Sequence, residues 1–212
     1  MRKLIIANWK MMYGPVKAGA WLRAFRRERL PKDVDIAVAV PHVSLPAAKA
    51  SLGRASVPVL AAQNVSWAEE GPMTGETAPS MLLELGAGMC LVGHSERRIH
   101  LGETDAMVAK KITALQKAGI QPVVCVGETE AQKKKGRAEA VKAVRTQVQS
   151  ALAAAQWNGS VPALVFAYEP VWAIGSGKAC PPQEAKDMHE VIRETLTKKL
   201  GAEVAQGVHI VY

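Results

Sequence analysis

The sequence predicts an α/β fold, a (β/α)8 barrel whose first seven β/α strands lie within the 212 residues. Three observations point there. Short apolar, β-branched runs alternate with helical stretches along the chain, as in a parallel sheet covered by helices. The first strand runs into Asn8-Trp9-Lys10, not into the glycine-rich turn that opens a doubly wound sheet. Polar residues follow several strands, namely Asn8 and Lys10, Asn64, His94, Glu128 and Glu169. A barrel gathers its site in this way, at the C-terminal ends of its strands.

In chain order, strands are expected over residues 4–8, 35–40, 57–63, 89–93, 121–126, 163–168 and 208–211. Helices are expected over 16–29, 45–52, 79–85, 105–118, 137–155 and 182–200. Gly53, Gly86, Gly119 and Gly201 stand where helix-ending glycines belong. Ser95 is placed to cap a short helix after the fourth strand. Glu103-Thr104-Asp105 reads as a structural helix start, with a Thr cap and an acid in the first turn. Cys180 precedes Pro181 where a hydroxyl cap is expected, and a thiol caps poorly. The sequence has no repeats, linkers or low-complexity tracts, so residues 1–212 read as a single domain.

Composition narrows the function. Hydrophobic residues make up 49% and charged residues 22%, ordinary for a globular protein. No apolar run approaches the ~20 residues of a membrane span. Met1-Arg2-Lys3 precedes only four apolar residues, short of a signal-peptide core of roughly 7–15. The formal charge is +8, with clusters at Arg23, Arg26, Arg27 and Arg29 and at Lys133, Lys134, Lys135 and Arg137. The first sits on a helix beside Trp21, Leu22 and Phe25, as a solvated face does; the second has no interleaved aromatics to stack bases. No nucleic-acid or membrane partner is therefore expected, although the charge favours a small anionic substrate. Cys90, Cys125 and Cys180 are far apart, and two lie in strand-like runs; they read as buried thiols of a cytoplasmic protein. No zinc spacing, Walker loop or defensible Ser-His-Asp pattern occurs.

Residues 168–178, Tyr168-Glu169-Pro170-Val171-Trp172-Ala173-Ile174-Gly175-Ser176-Gly177-Lys178, carry the strongest signal. Pro170 biases Glu169 toward extended backbone at the mouth of a pocket. A poorly hydrated carboxylate there suits a general base beside a carbonyl. Gly175, Ser176 and Gly177 offer backbone N–H groups to a phosphate and freedom for a movable lid. His94, in Gly93-His94-Ser95-Glu96-Arg97-Arg98, stands at a helix start, which disfavours imidazolium and leaves a neutral ring able to donate a hydrogen bond. Lys10 supplies a fixed cation for a phosphate and a developing enediolate, and Asn8 a polar group on the same side of extended backbone. Taken singly, each has a plainer reading: a strand-end salt bridge for Glu169, a structural histidine, a solvated lysine, a glycine-rich surface loop.

Their order is harder to explain as accident. Asn8-Trp9-Lys10, Ala62-Gln63-Asn64, Thr74-Gly75-Glu76, the His94 segment, Val126-Gly127-Glu128 and the lid string follow one another as in triosephosphate isomerase, and the whole chain resembles that family. The resemblance implies a TIM barrel interconverting dihydroxyacetone phosphate and D-glyceraldehyde 3-phosphate, in glycolysis and gluconeogenesis. Glu169 would move a proton through an enediolate, and His94 would polarise the carbonyl and shuttle protons. Lys10, Asn8, Gly175 and Ser176 would hold the substrate. Glu96, with Ser95, would support the site from behind. The family is typically a homodimer, in which the Thr74 loop enters the partner near Lys10.

Departures from the family pattern carry expectations of their own. Met12 and Tyr13 stand where a polar residue and glycine are usual, and Pro72-Met73 alters the tip of the Thr74 loop. The family's Gly-Gly-Ser phosphate loop and strand eight would follow Tyr212, and such barrels have about 250 residues. A chain cut there is expected to be poorly stable and nearly inactive. The alternatives are a catalytically impaired barrel serving as an interaction or regulatory protein, and another phosphate-sugar barrel enzyme.

Overall fold

The computed structural model describes residues 2–160, 163–174, 177 and 179–212. Among them, seven strands pair in parallel in strict chain order: β1 Lys3–Asn8, β2 Val34–Val40, β3 Val59–Ala62, β4 Met89–Val92, β5 Gln121–Val126, β6 Val165–Tyr168 and β7 Ile210–Val211. The connecting helices are α1 Pro15–Phe25, α2 Leu45–Leu52, α3 Pro79–Glu84, α4 Ser95–Leu101, α5 Asp105–Lys117, α6 Glu130–Lys134, α7 Arg137–Ala154, α8 Pro182–Leu200 and α9 Ala202–Gln206. Sheet neighbours that are also chain neighbours throughout make a barrel, not a doubly wound sheet. Among the described residues β1 and β7 each pair with one strand. The His209 ring nitrogen Nε2 nevertheless lies 2.9 Å from the Arg2 carbonyl, which brings the two ends of the curled sheet close together.

Alternation along the strands builds two cores. Ala37 and Ala39, Ala61, Met89 and Leu91, Val123 and Val165 face inward and fill the barrel. Their neighbours Val38, Val40, Leu60, Ala62, Cys90, Val92, Val124 and Phe166 face outward and meet the helices. From β2 to β6 both faces are largely buried, so these strands read as apolar runs, whereas Ile5 of β1 is exposed. Leu22 of α1, Leu82 of α3, Ile112 and Leu115 of α5 and Ile192 and Leu196 of α8 close the outer layer, each fully buried.

Most elements fall where the sequence places them, and the exceptions have local causes. The third strand starts at Val59, two residues later than expected, because Pro58 has no N–H to give the ladder. The first helix stops at Phe25. Arg27 and Glu28 close tighter turns onto Ala24 and Phe25, and the Arg26 guanidinium crosses to the Ser51 carbonyl at 2.8 Å. The short α6 was not expected from the sequence; a capping box starts it, in which the Thr129 hydroxyl accepts from the Gln132 N–H and Gln132 Oε1 accepts from the Thr129 N–H. Cys180 is not the cap of α8; Pro181 occupies that position, with no side-chain cap bond.

Beneath the end of β4 lies a buried charge network. Glu103 and Lys111 are both almost fully buried. Glu103 Oε1 accepts from Lys111 Nζ at 3.0 Å and from the Gly93 N–H at 3.2 Å, and Oε2 accepts from Arg97 Nε at 2.6 Å. Lys111 also donates to Asn64 Oδ1 at 2.7 Å. Burial alone would raise the Glu103 carboxyl, but Lys111 and Arg97 outweigh it and hold it below the usual carboxylate range. Gly93 turns above this network with φ 72°, and a Cβ there would meet Arg98 at 2.8 Å.

Two outcomes follow. Glu103→Ala leaves Lys111 buried and unpaired and should lower the unfolding free energy by about 3–5 kcal/mol in urea denaturation. A depressed carboxyl contributes stability that is present above its unfolded value, about 4.3, and is lost as pH falls through the folded value. The urea midpoint should therefore drop in acid, and the acid limb should be shallower in Glu103→Gln; equal slopes would contradict the assignment.

Candidate active site

Strand parity carries the polar residues to the mouth of the barrel. Ile6 is packed against the barrel interior, and Asn8 lies two positions on. Val165 and Ala167 belong to the same inner set, and Glu169 is the next residue of that parity. The Glu169 N–H donates to the Val126 carbonyl at 2.8 Å, extending the sheet by one residue. The Glu169 carbonyl then lies where a Cβ on Gly127 would be, 1.7 Å away, so only glycine fits at 127. Asn8, Lys10, His94 and Glu169 all line one pocket of about 320 Å³, floored by Ile6 and Leu91.

His94 and Glu169 meet there, although 74 residues separate Glu169 from Ser95, beside which it sits. His94 Nε2 is 3.2 Å from Glu169 Oε1, and the Ser95 N–H donates to Glu169 Oε2 at 3.0 Å. The expected Ser95 cap is corrected. His94 itself is the N-cap of α4, its Nδ1 accepting the Glu96 N–H at 3.2 Å. Ser95 lies inside the helix, and its buried hydroxyl has no hydrogen-bond partner among the described residues. The ring reaches the free amide because His94 keeps extended backbone, φ −54° and ψ 138°. With Nδ1 accepting, the ring proton belongs on Nε2, pointing at Glu169 and the pocket.

Lys10 reaches the pocket by a different route from the one expected. β1 ends at Asn8, and Lys10 has φ 51°, so the two are not on one extended stretch. Asn8 Oδ1 accepts the Lys10 N–H at 2.9 Å, and Gln63 Nε2 donates to the Lys10 carbonyl at 2.8 Å and to the Ala39 carbonyl at 2.9 Å. Lys10 Nζ lies 2.5 Å from Glu96 Oε1. Burial would raise the Glu96 carboxyl, but the Lys10 hydrogen bond together with the nearby charges outweighs it and holds it low. Tyr13, where glycine is usual, takes φ 61°. Its carbonyl accepts the Ser44 hydroxyl at 2.7 Å, and its ring packs against Trp9 at 5.0 Å. These contacts offset a backbone cost of about 1–3 kcal/mol.

Glu128 anchors the residues after Glu169. It is buried, accepts the Trp172 indole N–H at 2.8 Å and the Tyr168 hydroxyl at 3.1 Å, and its carbonyl accepts the Val171 N–H at 3.2 Å. The Lys133 ammonium sits 3.1 Å from the centre of the Trp172 ring and 2.6 Å from Glu184 Oε2. Gly175 and Ser176 lie outside the described residues. Thr74 is exposed, on the loop between β3 and α3, and does not line the pocket.

Two site residues escaped the sequence reading. Cys125 lines the pocket beside Glu169; burial first, then the Glu169 charge, pushes its thiol up. Its parity with Val123 was the available signal. Gln63 was visible only as part of a motif, and its brace on Lys10 spans 53 residues. Among the described residues no cluster of His, Cys, Asp or Glu is arranged to hold a metal. The pocket thus sets a carboxylate, a donating imidazole and an ammonium around a space large enough for a small anionic molecule.

Comparison with known proteins agrees with this arrangement. The family profile described as triosephosphate isomerase matches residues 3–212. The triosephosphate isomerase of Acetivibrio thermocellus is 40% identical over 212 residues, covering all of this chain and 83% of that protein. That of Thermus thermophilus is 42% identical over 213 residues, with 84% of it covered. That of Pseudomonas aeruginosa is 39% identical over 211 residues, with 82% covered. A parallel barrel with this pocket, matched along nearly its whole length, belongs to the triosephosphate isomerase family.

Proposed function

We propose that residues 1–212 act as one catalytic domain that interconverts dihydroxyacetone phosphate and D-glyceraldehyde 3-phosphate. The observation that carries this reading is the pairing of Glu169 with His94 Nε2 at 3.2 Å, beside Lys10. A triose carbonyl placed between them would receive the Nε2–H hydrogen bond now given to Glu169. Glu169, released from that bond and from the Ser95 N–H, would take a proton from the neighbouring carbon. The electron pair moves into the carbonyl, and the negative charge develops on oxygen, within reach of Nε2–H and of the Lys10 cation. His94 would give its Nε2 proton to that oxygen and take the proton of the neighbouring hydroxyl, and Glu169 would return its proton to the other carbon, which completes the isomerisation without cofactor or metal. Gly175 and Ser176 would hold the phosphate, and closing the lid would exclude water from the enediolate. The reaction belongs to glycolysis and gluconeogenesis and is placed here in the cytoplasm.

A homodimer follows from the same reading. Met11 is 97% exposed and Met12 64%, and Thr74 is exposed as well. Burying such apolar side chains against a second copy would remove them from water and rigidify the loop that carries Lys10.

The test is a coupled isomerase assay on the purified chain, together with deuterium wash-in to the triose from heavy water, which reads proton abstraction even when turnover is slow. Glu169→Gln should lower both by about a hundredfold or more. Wash-in that is the same with and without the Glu169 carboxylate would overturn the reading. Gln63→Ala removes the hydrogen bond that ties the Lys10 carbonyl, through Gln63, to Ala39 and should raise KM more than it lowers kcat, because it frees the substrate-holding cation and leaves the base in place.

A further inference from the structure

The loop between α7 and β6 carries Asn158-Gly159-Ser160, at the opposite end of the barrel from the pocket. The loop is anchored just before this point. The Gln156 N–H donates to Gln116 Oε1 at 2.9 Å, Gln116 Nε2 donates back to the Gln156 carbonyl at 3.1 Å, and Trp157 packs against the core. Asn158, Gly159 and Ser160 then project into solvent, all three exposed. The Asn158 side chain folds back over the following backbone. Its Oδ1 accepts both the Ser160 N–H at 3.1 Å and the Ser160 hydroxyl at 2.6 Å.

We propose that Asn158 is a self-modifying site that converts to aspartate and isoaspartate through a cyclic imide. The two donors on Oδ1 are aimed where negative charge develops when a nucleophile adds to the side-chain amide carbon. The nucleophile is the Gly159 backbone nitrogen, held within the same turn, so the reaction is intramolecular. Gly159 has φ 76°, carries no side chain to obstruct the approach, and its N–H makes no hydrogen bond to another described residue. The Gly159 nitrogen loses its proton to water or hydroxide and forms a bond to Asn158 Cγ. The Cγ–Nδ2 bond breaks, and the nitrogen leaves as ammonia after taking up a proton. Water then opens the five-membered imide. Cleavage at Cγ gives aspartate. Cleavage at the former backbone carbonyl gives isoaspartate, with the chain running through the side chain. No oxidant, reductant or enzyme is needed, and each event adds one negative charge.

The chain contains three asparagines, Asn8, Asn64 and Asn158, and only Asn158 precedes glycine. Asn8 precedes Trp9 and Asn64 precedes Val65, so the other two serve as internal controls. The test is to hold the purified full chain at mildly alkaline pH and to follow each asparagine by peptide mass spectrometry, with isoaspartate identified by fragmentation. Residue 158 should convert at least tenfold faster than the other two, giving both acids. Ser160→Ala should slow the conversion by about two- to tenfold, the range expected for one hydrogen bond. Gly159→Ala should slow it further. Conversion at residue 158 no faster than at residues 8 and 64 would overturn the proposal, and so would a rate indifferent to the Ser160 hydroxyl. The readout is chemical mass, so it stands or falls independently of any isomerase activity.

Discussion

The Glu96 amide N–H donating to His94 Nδ1 at 3.2 Å orients everything else in the pocket. It uses a free N–H at the start of α4, which every helix has to satisfy somehow, and satisfies it with an imidazole. That choice leaves the ring proton on Nε2 and aims it at Glu169. It also sets the start of α4 so that the Ser95 N–H holds the other carboxylate oxygen. One backbone donor thereby caps a helix, selects a tautomer and places the acidic and basic partners face to face. The Glu103 network beneath keeps the Gly93 turn in place and thus the start of that helix.

Strain and close approach gather around the same pocket and are met by specific contacts. Lys10 and Tyr13 both have positive φ without being glycine, and both carbonyls are held by hydrogen bonds from other loops. Gly127 has no room for a side chain because the Glu169 backbone crosses it. The strands supply position by their period of two, and the loops refine it by hydrogen bonds from distant segments. Exact side-chain placement at the barrel mouth therefore depends on both levels.

How much was legible depended on the range of the interaction. Parity along β6 and the Glu169-Pro170 pair could be read locally, and so could the Thr104 cap, whose hydroxyl accepts the Met107 N–H. The Ser95 cap was misplaced because a hydroxyl is the commoner capping group, and only the folded backbone shows that the histidine before it reaches the amide. The expectation that Asn8 and Lys10 share a face assumed extended backbone. Both do line the pocket, but through a left-handed turn that nothing local announces. Cys125 read simply as a buried thiol until the strand alternation was laid against Glu169.

Local chemistry alone determined the alternation of strands and helices, most helix ends, the family motifs and the identity of the groups able to move a proton. These depend on side-chain periodicity and backbone preferences within a few residues. Tertiary structure alone decided which tautomer His94 presents, which segments brace Lys10 and why position 127 is glycine. Each of those is a contact between residues that are 24 or more apart in sequence or a consequence of where a helix begins in space, as with Gln63 on Ala39 and Ser95 on Glu169. Hydrogen bonds of that kind exist only after the barrel has brought the strand ends together.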